Sequence, residues 1–278
     1  MNLPNPMITP RKFLGQHFLH DENIARKIIQ HLAIHDGETW LEIGPGQGML
    51  TKYLIGQAAQ TIAIELDERS VQLLQQQFGA SLTLIHADVL SVQLNDLTRT
   101  HPGPLRVVGN IPYYITSEIV FWLFDQHEFV ADATLMMQLE VARRFVAATH
   151  TKEYGILTVF ANFFAEPSLL FPVTRNSFYP RPNVESAVIR LKFREHLPAC
   201  NVALFRNVVR STFGKRRKTL RNGLRYMGYP DDLLHALKFD LGQRPEQLTV
   251  DDFLHLTMLL ESEAQRRSEH GVTPLFIK

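Results

Sequence analysis

Two kinds of apolar pattern alternate along the first two thirds of the chain. Short apolar runs predict buried β-strands, and after most of them apolar residues recur every three or four positions, as on one face of a helix. The predicted strands are Thr39–Ile43, Thr61–Glu65, Leu82–His86, Leu105–Gly109 and Thr134–Leu139, and the predicted helices begin at Asp21, Met49, Asp67, Ser117 and Glu140. This alternation predicts an α/β fold with a mostly parallel sheet covered by helices on both faces.

The pattern changes toward the C-terminus. Gly155–Phe164 and Ser186–Phe193 predict a final pair of strands, and the strand signals stop after Leu197-Pro198. Amphipathic helices are then predicted at Leu204–Phe213, Arg216–Met227, Asp232–Leu237 and Asp251–Ser262. We therefore predict an α/β domain over residues 1–196, with residues 1–10 as a flexible arm, and a small helical domain over residues 197–278.

Composition narrows the class of protein. Of the 278 residues, 45% are hydrophobic and 21% are charged, which is typical of a globular chain and excludes a disordered one. The sequence contains no apolar run long enough for a transmembrane helix and no secretory signal pattern. Its one cysteine, Cys200, excludes an intrachain disulfide and a cysteine-based zinc site. We expect a cytoplasmic protein without a metal or a membrane partner.

Charge is distributed unevenly between the two predicted domains. Residues 197–278 hold 13 basic and 9 acidic residues, whereas residues 1–196 hold 16 basic and 19 acidic ones. The stretch from Arg206 to Arg225 contains eight basic residues and no acidic one. Such a stretch fits either an anionic partner or a solvated helix face.

A glycine-rich loop joins the first of these buried strands to the next helix. In Glu42–Gly48 the glycines stand at positions 44, 46 and 48, where they allow a tight turn and a close approach of a ligand to the backbone. The spacing matches neither the dinucleotide-binding pattern nor a Walker loop, which disfavours a pyrophosphate ligand.

Two carboxylates follow the next predicted strands. Glu65 ends the second strand, where it can accept hydrogen bonds from ribose hydroxyls, and Asp88 follows the third, where it can meet an adenine edge. Each alone fits a solvated loop residue. Together with the loop they predict a nucleoside pocket without a phosphate clamp, which suits S-adenosylmethionine.

Asn110-Ile111-Pro112-Tyr113 follows the fourth predicted strand. An adenine amine is a poor nucleophile because its lone pair is delocalised into the ring. The Asn110 side-chain oxygen and the Ile111 carbonyl can accept its two N–H bonds, Pro112 fixes the turn, and Tyr113 can stack on the base. Such catalysis depends on positioning and electrostatics rather than on a general base.

Taken together, and in their order along the chain, these motifs resemble those of the KsgA/RsmA family of ribosomal RNA adenine-N6 dimethyltransferases. The matching segments are Gly15–Leu19, Glu42–Gly48, Glu65, Asp88, Asn110–Tyr113, Phe178–Ser186 and Lys215–Asn222. The resemblance implies a Rossmann-like class I S-adenosylmethionine-dependent methyltransferase sheet followed by a small helical domain. It also implies dimethylation of two adjacent adenines in a hairpin loop near the 3′ end of small-subunit (16S) rRNA, in an immature subunit particle, and a role in ribosome biogenesis.

The resemblance also implies roles for individual residues. Cofactor contacts are expected from His17, Leu19, Gly44, Gly46, Glu65, Asp88 and Asn110. Asn110, Ile111, Pro112 and Tyr113 would hold the target base, and Phe178 would close its pocket opposite Tyr113. The family often has Asn at the position of His17, so a contact there through the backbone would be unaffected, whereas a side-chain contact would differ.

The same resemblance implies a role for the basic stretch between Arg206 and Arg225. Lys215, Arg216, Arg217, Lys218 and Arg221 are expected to contact rRNA phosphates, and Arg11 and Lys12 could add to them. Because no heptads or large apolar seam are visible, a monomer is the default expectation.

Two other functions share parts of this pattern. Methyltransferases that modify an adenine of large-subunit (23S) rRNA and confer resistance have the same glycine loop and Asn-Ile-Pro-Tyr motif, although Lys215–Asn222 resembles the small-subunit enzymes. A non-catalytic RNA-binding assembly factor could retain the fold, but it would have no need for the complete set of pocket residues. A DNA adenine methyltransferase is less favoured, because no target-recognition insert is visible.

Overall fold

The computed structural model describes residues 8–11, 14–100, 103–214 and 218–269. The chain forms two compact units. The first contains Met1–Arg143 and Phe164–Glu195, and the second contains Arg144–Phe163 and His196–Lys278. The predicted boundary near residue 196 coincides with one of the points at which the chain passes between units. The predicted domains differ from this grouping in residues 144–163, which we assigned to the first domain.

Strands dominate the first unit. They are β1 (Phe18–Leu19), β2 (Thr39–Ile43), β3 (Gln60–Glu65), β4 (Thr83–His86), β5 (Leu105–Asn110), β6 (Val130–Gln138), β7 (Ala165–Val173), β8 (Phe178–Tyr179) and β9 (Ser186–Phe193). The helices that begin in this unit are α1 (Glu22–Leu32), α2 (Thr51–Leu54), α3 (Glu68–Phe78), α4 (Leu94–Thr100), α5 (Thr116–Asp125) and α6 (Leu139–Phe145). Asp21 caps α1 and Asp67 caps α3 by accepting backbone N–H bonds, in agreement with the predicted helix starts.

Seven strands form one sheet in the order β4-β3-β2-β5-β6-β9-β7. The first five are parallel, and β9 runs antiparallel to both of its neighbours. The predicted α/β class with a mostly parallel sheet is therefore confirmed. Chain order reverses between β2 and β5, and in such sheets ligands bind outside the carboxyl ends of the strands at this point.

The strand predicted at Gly155–Phe164 is wrong. The segment forms α7 (Ile156–Phe164), and the edge strand β7 follows it. A continuous apolar run has no period that separates a buried strand from a buried helix, and Phe160, Phe163 and Phe164 are all fully buried. The real strand was missed because it carries Pro167 and Pro172, which are tolerated at a sheet edge but weaken the strand signal.

A separate two-stranded pair connects distant parts of the first unit. In it β1 and β8 run antiparallel, with Phe18 opposite Tyr179 and Leu19 opposite Phe178. Segments of two residues have no periodicity, so the sequence did not predict the pair. It brings the Gly15–Leu19 segment beside the Phe178–Ser186 segment, about 160 residues away in the chain.

An ion-pair network ties the amino ends of the parallel strands together. Arg106 of β5 donates two hydrogen bonds to Asp132 of β6 at 2.8 Å, and it donates to both oxygens of Glu38, just before β2, at 2.9 Å. Its guanidinium also lies over the Trp40 ring. Because each charge in the network has partners, burying it is tolerated, and β2, β5 and β6 are held in register at the end away from their carboxyl edge.

The second unit is helical. Besides α7 it contains α8 (Val202–Phe213), α9 (Leu220–Tyr226), α10 (Asp231–Ala236) and α11 (Val250–Glu269). Phe163 stacks on Phe205 with ring centroids 4.3 Å apart, and α8 and α9 approach so closely that a Cβ on Gly223 would lie 2.7 Å from Thr212 Cα. Within the described residues, no helix is long and apolar enough to cross a membrane.

Candidate active site

The glycine loop after β2 is folded against the end of β3. Gly44 has a φ of +63° and donates its N–H to the Ile64 carbonyl at 3.0 Å. A Cβ on Gly44 would meet only the Asn110 carbonyl, at 4.0 Å, so the missing side chain leaves open space above the loop. Gly46 has a φ of +56°, and a Cβ there would press on the Phe18 ring at 3.0 Å. Both positions therefore require glycine.

Glu65 connects this loop to the turn after β3. Its side chain is buried and accepts backbone N–H bonds from Gly46 at 3.0 Å, Leu66 at 2.9 Å and Asp67 at 2.8 Å. Burial raises the pKa of Glu65, and the three N–H bonds oppose that shift because they stabilise the charged form. The Glu65 carboxylate thus holds the loop after β2 and the turn after β3 together at the edge of the cavity.

Glu42 is a second buried carboxyl group, which sequence reasoning did not single out. It lies at the end of β2 and accepts a hydrogen bond from the Thr51 hydroxyl at 2.6 Å. Burial, with a smaller effect from the Glu65 charge, raises the pKa of Glu42 to about 8. Glu42 is therefore mostly neutral at pH 7.

The carboxyl ends of β2, β3, β4 and β5 surround one cavity, which Leu14–Leu19 covers. The cavity holds about 1030 Å³ of space, including the part that is open to solvent. It is lined by all the residues predicted to contact the cofactor: His17, Leu19, Gly44, Gly46, Glu65, Asp88 and Asn110. Asp88 is exposed and caps the following turn by accepting the Leu90 N–H at 3.0 Å.

Asn110 is oriented by the N-terminal segment. Its side-chain Nδ2 donates to the His17 carbonyl at 2.9 Å. Among the described residues none donates to its Oδ1, so this oxygen is the atom with which the amide can accept a hydrogen bond from a ligand in the cavity. Ile111, Pro112 and Tyr113 line the same cavity, and the Ile111 N–H donates to the Met136 carbonyl.

His17 contacts the site through both its backbone and its ring. Its ring lies parallel to that of Tyr113, with centroids 5.5 Å apart, and its Nδ1 donates to the Pro180 carbonyl at 2.6 Å. Tyr113 in turn shares a hydrogen bond with the Ser186 hydroxyl at 2.6 Å. One face of Tyr113 is therefore covered by His17, and a base that stacks on Tyr113 must use the other face or displace His17.

Phe178 does not lie where we expected it. It is 2% exposed and belongs to the apolar core with Leu19, Phe171 and Val188, and it is not among the residues that line the cavity. Its pairing with Leu19 in β1 orients the aromatic ring into the core. Closing the target pocket with Phe178 would require a different packing from the one in this structure.

The predicted RNA-contacting residues are only partly described. Lys215, Arg216 and Arg217 lie outside the described residues, as does Lys12. Lys218 is exposed, whereas Arg221 is half-buried, and its Nη1 is inaccessible and has no hydrogen-bond acceptor among the described residues. Arg221 is thus less suited to a phosphate contact than its place in the run suggested. No group of His, Cys, Asp and Glu suited to a metal ion occurs in the described ranges.

Several residues at the cavity were missed by sequence reasoning. Gln16, Leu66 and Tyr114 line it, and Asp67 lies buried directly behind Gln16. Gln16 lies within the Gly15–Leu19 motif, but no local pattern predicts that its partner is a helix cap 51 residues away.

Comparison with known proteins assigns the family. The model of the family "Ribosomal RNA adenine dimethylase" matches residues 7–262. The chain belongs to this family. Ribosomal RNA small subunit methyltransferase A of Chlorobaculum parvum is 43% identical over 250 residues, which cover 90% of this chain and 89% of the relative. The protein of the same name from Chlorobium phaeobacteroides (strain BS1) is 41% identical over 249 residues, with 90% and 93% covered.

Solved structures agree with the assignment. A dimethyladenosine transferase from Plasmodium falciparum has a TM-score of 0.76 at 26% identity, covering 94% of this chain and all of that one. The 23S rRNA methyltransferase ErmE has a TM-score of 0.65 at 28% identity, covering 88% and 99%. The predicted class I methyltransferase fold and S-adenosylmethionine-dependent rRNA methylation are thereby confirmed.

The residues present fit S-adenosylmethionine, the cofactor of this family. The Gly44 backbone leaves space that a Cβ would fill, and Glu65 supplies carboxylate oxygens at the cavity wall. Leu66, which is 48% exposed beside Glu65, offers an apolar surface for a ring. These groups would hold a nucleoside through its hydroxyls and ring face without a phosphate site.

The buried Glu42 predicts a pH dependence of stability. The folded state holds its proton up to about pH 8, whereas the unfolded state releases it near the ordinary value of 4.5. The unfolded state is therefore favoured increasingly as pH rises through this window, and the penalty at its upper end is on the order of a few kcal/mol. Glu42→Gln should remove the penalty, so its free energy of unfolding should rise relative to that of the parent between pH 5 and 8.

Urea unfolding of both proteins at several pH values measures this difference. Glu128→Gln, at an exposed position of the same unit, is the matched control. A difference between Glu42→Gln and the parent that stays constant with pH would contradict the neutral state of Glu42.

Proposed function

We propose that this chain dimethylates the N6 amines of two adjacent adenines in the 3′-terminal hairpin loop of small-subunit (16S) rRNA. The names of its relatives support the choice of ribosomal subunit. The orientation of Asn110 is the observation that supports the proposed chemistry. Its amide nitrogen donates a hydrogen bond to the His17 carbonyl, and Asn110 lines the cavity beside the glycine loop.

The cofactor supplies a methyl group on a sulfonium centre. The chain has to present the adenine amine to it with the lone pair directed at the methyl carbon. Asn110 Oδ1 and the Ile111 carbonyl accept the two N–H bonds of the amine, which favours a pyramidal nitrogen. With S-adenosylmethionine bound, a bond from this nitrogen to the methyl carbon would form as the methyl–sulfur bond breaks, leaving S-adenosylhomocysteine, and the nitrogen would then release one proton to solvent. A second round with a second cofactor molecule would use the remaining N–H.

Tyr113 and Pro112 hold the base in this proposal. The hydrogen bond between the Tyr113 and Ser186 hydroxyls fixes the plane of the tyrosine ring, against which an adenine can stack. Burial raises the pKa of Tyr113, so the phenol stays neutral and does not place a charge beside the base. Stacking and two accepted hydrogen bonds together replace the contacts that a flipped adenine loses.

The natural substrate in this proposal is an immature small-subunit particle, methylated by a monomer in the cytoplasm. The second unit would contact rRNA through Lys215, Arg216, Arg217 and Lys218. Because such contacts go to phosphates, they position the RNA and do not select its sequence. The choice of particle would then come from the shape of the RNA and not from the cavity.

The large-subunit alternative has one observation in its favour, the likeness to ErmE. That likeness has lower sequence identity than the small-subunit relatives have, which favours the small subunit. A purely structural assembly factor is disfavoured by the cavity, because all seven residues expected to contact the cofactor line it together.

Methyl transfer to defined substrates tests the proposal. The chain is incubated with labelled S-adenosylmethionine and small-subunit particles, large-subunit particles or duplex DNA, the particles coming from cells without this enzyme. We expect label in N6,N6-dimethyladenine of small-subunit rRNA. Label confined to the large subunit would favour the resistance-type function, and tight RNA binding without any label would favour the assembly factor.

Asn110→Ala removes the proposed acceptor for the target amine. The rate of transfer at saturating substrates should fall by on the order of 10² or more, as when one preorganised catalytic hydrogen bond is removed. RNA affinity should stay nearly unchanged, because RNA phosphates are bound elsewhere. Asn95→Ala, at an exposed position of α4, is the control for a general effect of the substitution. Full activity of Asn110→Ala would exclude the proposed amine geometry.

Neutralising Lys215, Arg216 and Arg217 with glutamine tests the RNA-binding run. If the three contact phosphates, the slope of log affinity against log salt should become shallower by about 2. The double variant Arg266→Gln/Arg267→Gln is the control, since these arginines pair with Glu263 in the same unit. A salt slope equal to that of the parent would show that the run is a solvated surface.

A further inference from the structure

The segment that covers the cavity is attached to the turn after β3 by a side chain that the proposed chemistry does not use. Gln16 donates from Nε2 to Asp67 Oδ2 at 2.8 Å, and its Oε1 accepts the Arg11 N–H at 2.8 Å. The Asp67 side chain has no exposed surface. Because the Gln16 amide bonds to a buried carboxylate with its nitrogen and to a backbone N–H with its oxygen, it fixes the position of the segment that contains it.

Arg69 strengthens the same attachment. It donates to Asp67 from Nη2 at 2.6 Å and from Nε at 3.0 Å, and its Nη1 donates to the Thr9 carbonyl at 2.9 Å. Although burial alone would raise the pKa of Asp67, the hydrogen bonds from Arg69 and Gln16 lower it to about 2. Asp67 is thus a charged acceptor, and hydrogen bonds to charged groups are the stronger kind.

These bonds form a continuous path from the cofactor side of the cavity to the catalytic amide. Glu65 accepts the Asp67 N–H at 2.8 Å, and Asp67 holds Gln16. The next residue, His17, accepts from Asn110 Nδ2 through its carbonyl at 2.9 Å. One peptide unit separates Gln16 from the carbonyl that orients Asn110, so displacing Gln16 moves that carbonyl.

We propose that Gln16 and Asp67 are positioning residues, whose hydrogen bond holds Gly15–His17 in place for cofactor binding and for the orientation of Asn110. The first effect depends only on the cofactor. The second rests on the proposed role of Asn110. Neither residue touches the reacting atoms in this account, so both act through the segment that they hold.

The test replaces the donor with a second carboxylate. In Gln16→Glu the new side chain faces buried Asp67, so the dissociation constant of S-adenosylhomocysteine, measured by calorimetry without RNA, should rise about tenfold or more. Gln72→Glu is the matched control, because Gln72 also donates to a carboxylate, that of Glu68, on the exposed side of α3.

Three readouts decide the outcome. Circular dichroism without ligand should show that the variant is folded, and Gln16→Ala replaces Gln16→Glu if the latter fails to fold. With saturating cofactor, the turnover number for methyl transfer should also fall in Gln16→Glu. An unchanged dissociation constant would overturn the positioning role. A loss of affinity with an unchanged turnover number would overturn the effect on Asn110. Because affinity is measured without RNA, a wrong rRNA assignment would leave that result unaffected.

Discussion

The buried carboxylate of Glu65 is the interaction on which the candidate site depends. Its two oxygens accept N–H bonds from Gly46 in the loop after β2 and from Leu66 and Asp67 in the turn after β3. Burying a carboxylate is costly unless hydrogen bonds replace those it made with water, and three backbone donors do so here. One side chain thereby fixes two backbone segments, which lie side by side because β2 and β3 are neighbouring parallel strands whose ends meet at the same edge.

The charge on Glu65 affects the protonation of its neighbour Glu42. It lies near the end of β2, where, among the described residues, the Thr51 hydroxyl alone donates a hydrogen bond to its carboxyl group, and burial raises its pKa to about 8. Two buried carboxylates close together cannot both ionise without a large penalty. Glu65 has three donors and Glu42 has one, so the proton resides on Glu42. The number of hydrogen-bond donors therefore explains why Glu65 is charged and Glu42 is neutral.

Sequence reasoning succeeded where a feature depends on local pattern. The five parallel strands, the helix starts at Asp21 and Asp67, the glycine loop and the residues at the strand ends all follow from short-range signals in the chain. It failed where the deciding partner is distant. The β1–β8 pair, the burial of Phe178 and the bond between Gln16 and Asp67 depend on residues 51 or more positions apart. The helix at Ile156–Phe164 was misassigned because a fully buried helix has no polar face to reveal its period.

In the proposed function, the cavity supplies the chemistry and other parts of the chain select the RNA. ErmE, a 23S rRNA methyltransferase, has the same architecture with a TM-score of 0.65 at 28% identity, whereas the two small-subunit relatives described above are 41% and 43% identical to this chain. Enzymes that share a fold for one cofactor and one kind of amine have little reason to differ at the glycine loop or at Asn110. Selection between rRNAs therefore has to come from surfaces that meet the RNA away from the target base, where contacts with phosphates and shape decide the position of the loop. In the proposed function, the chemistry and the choice of substrate thus depend on different parts of one chain.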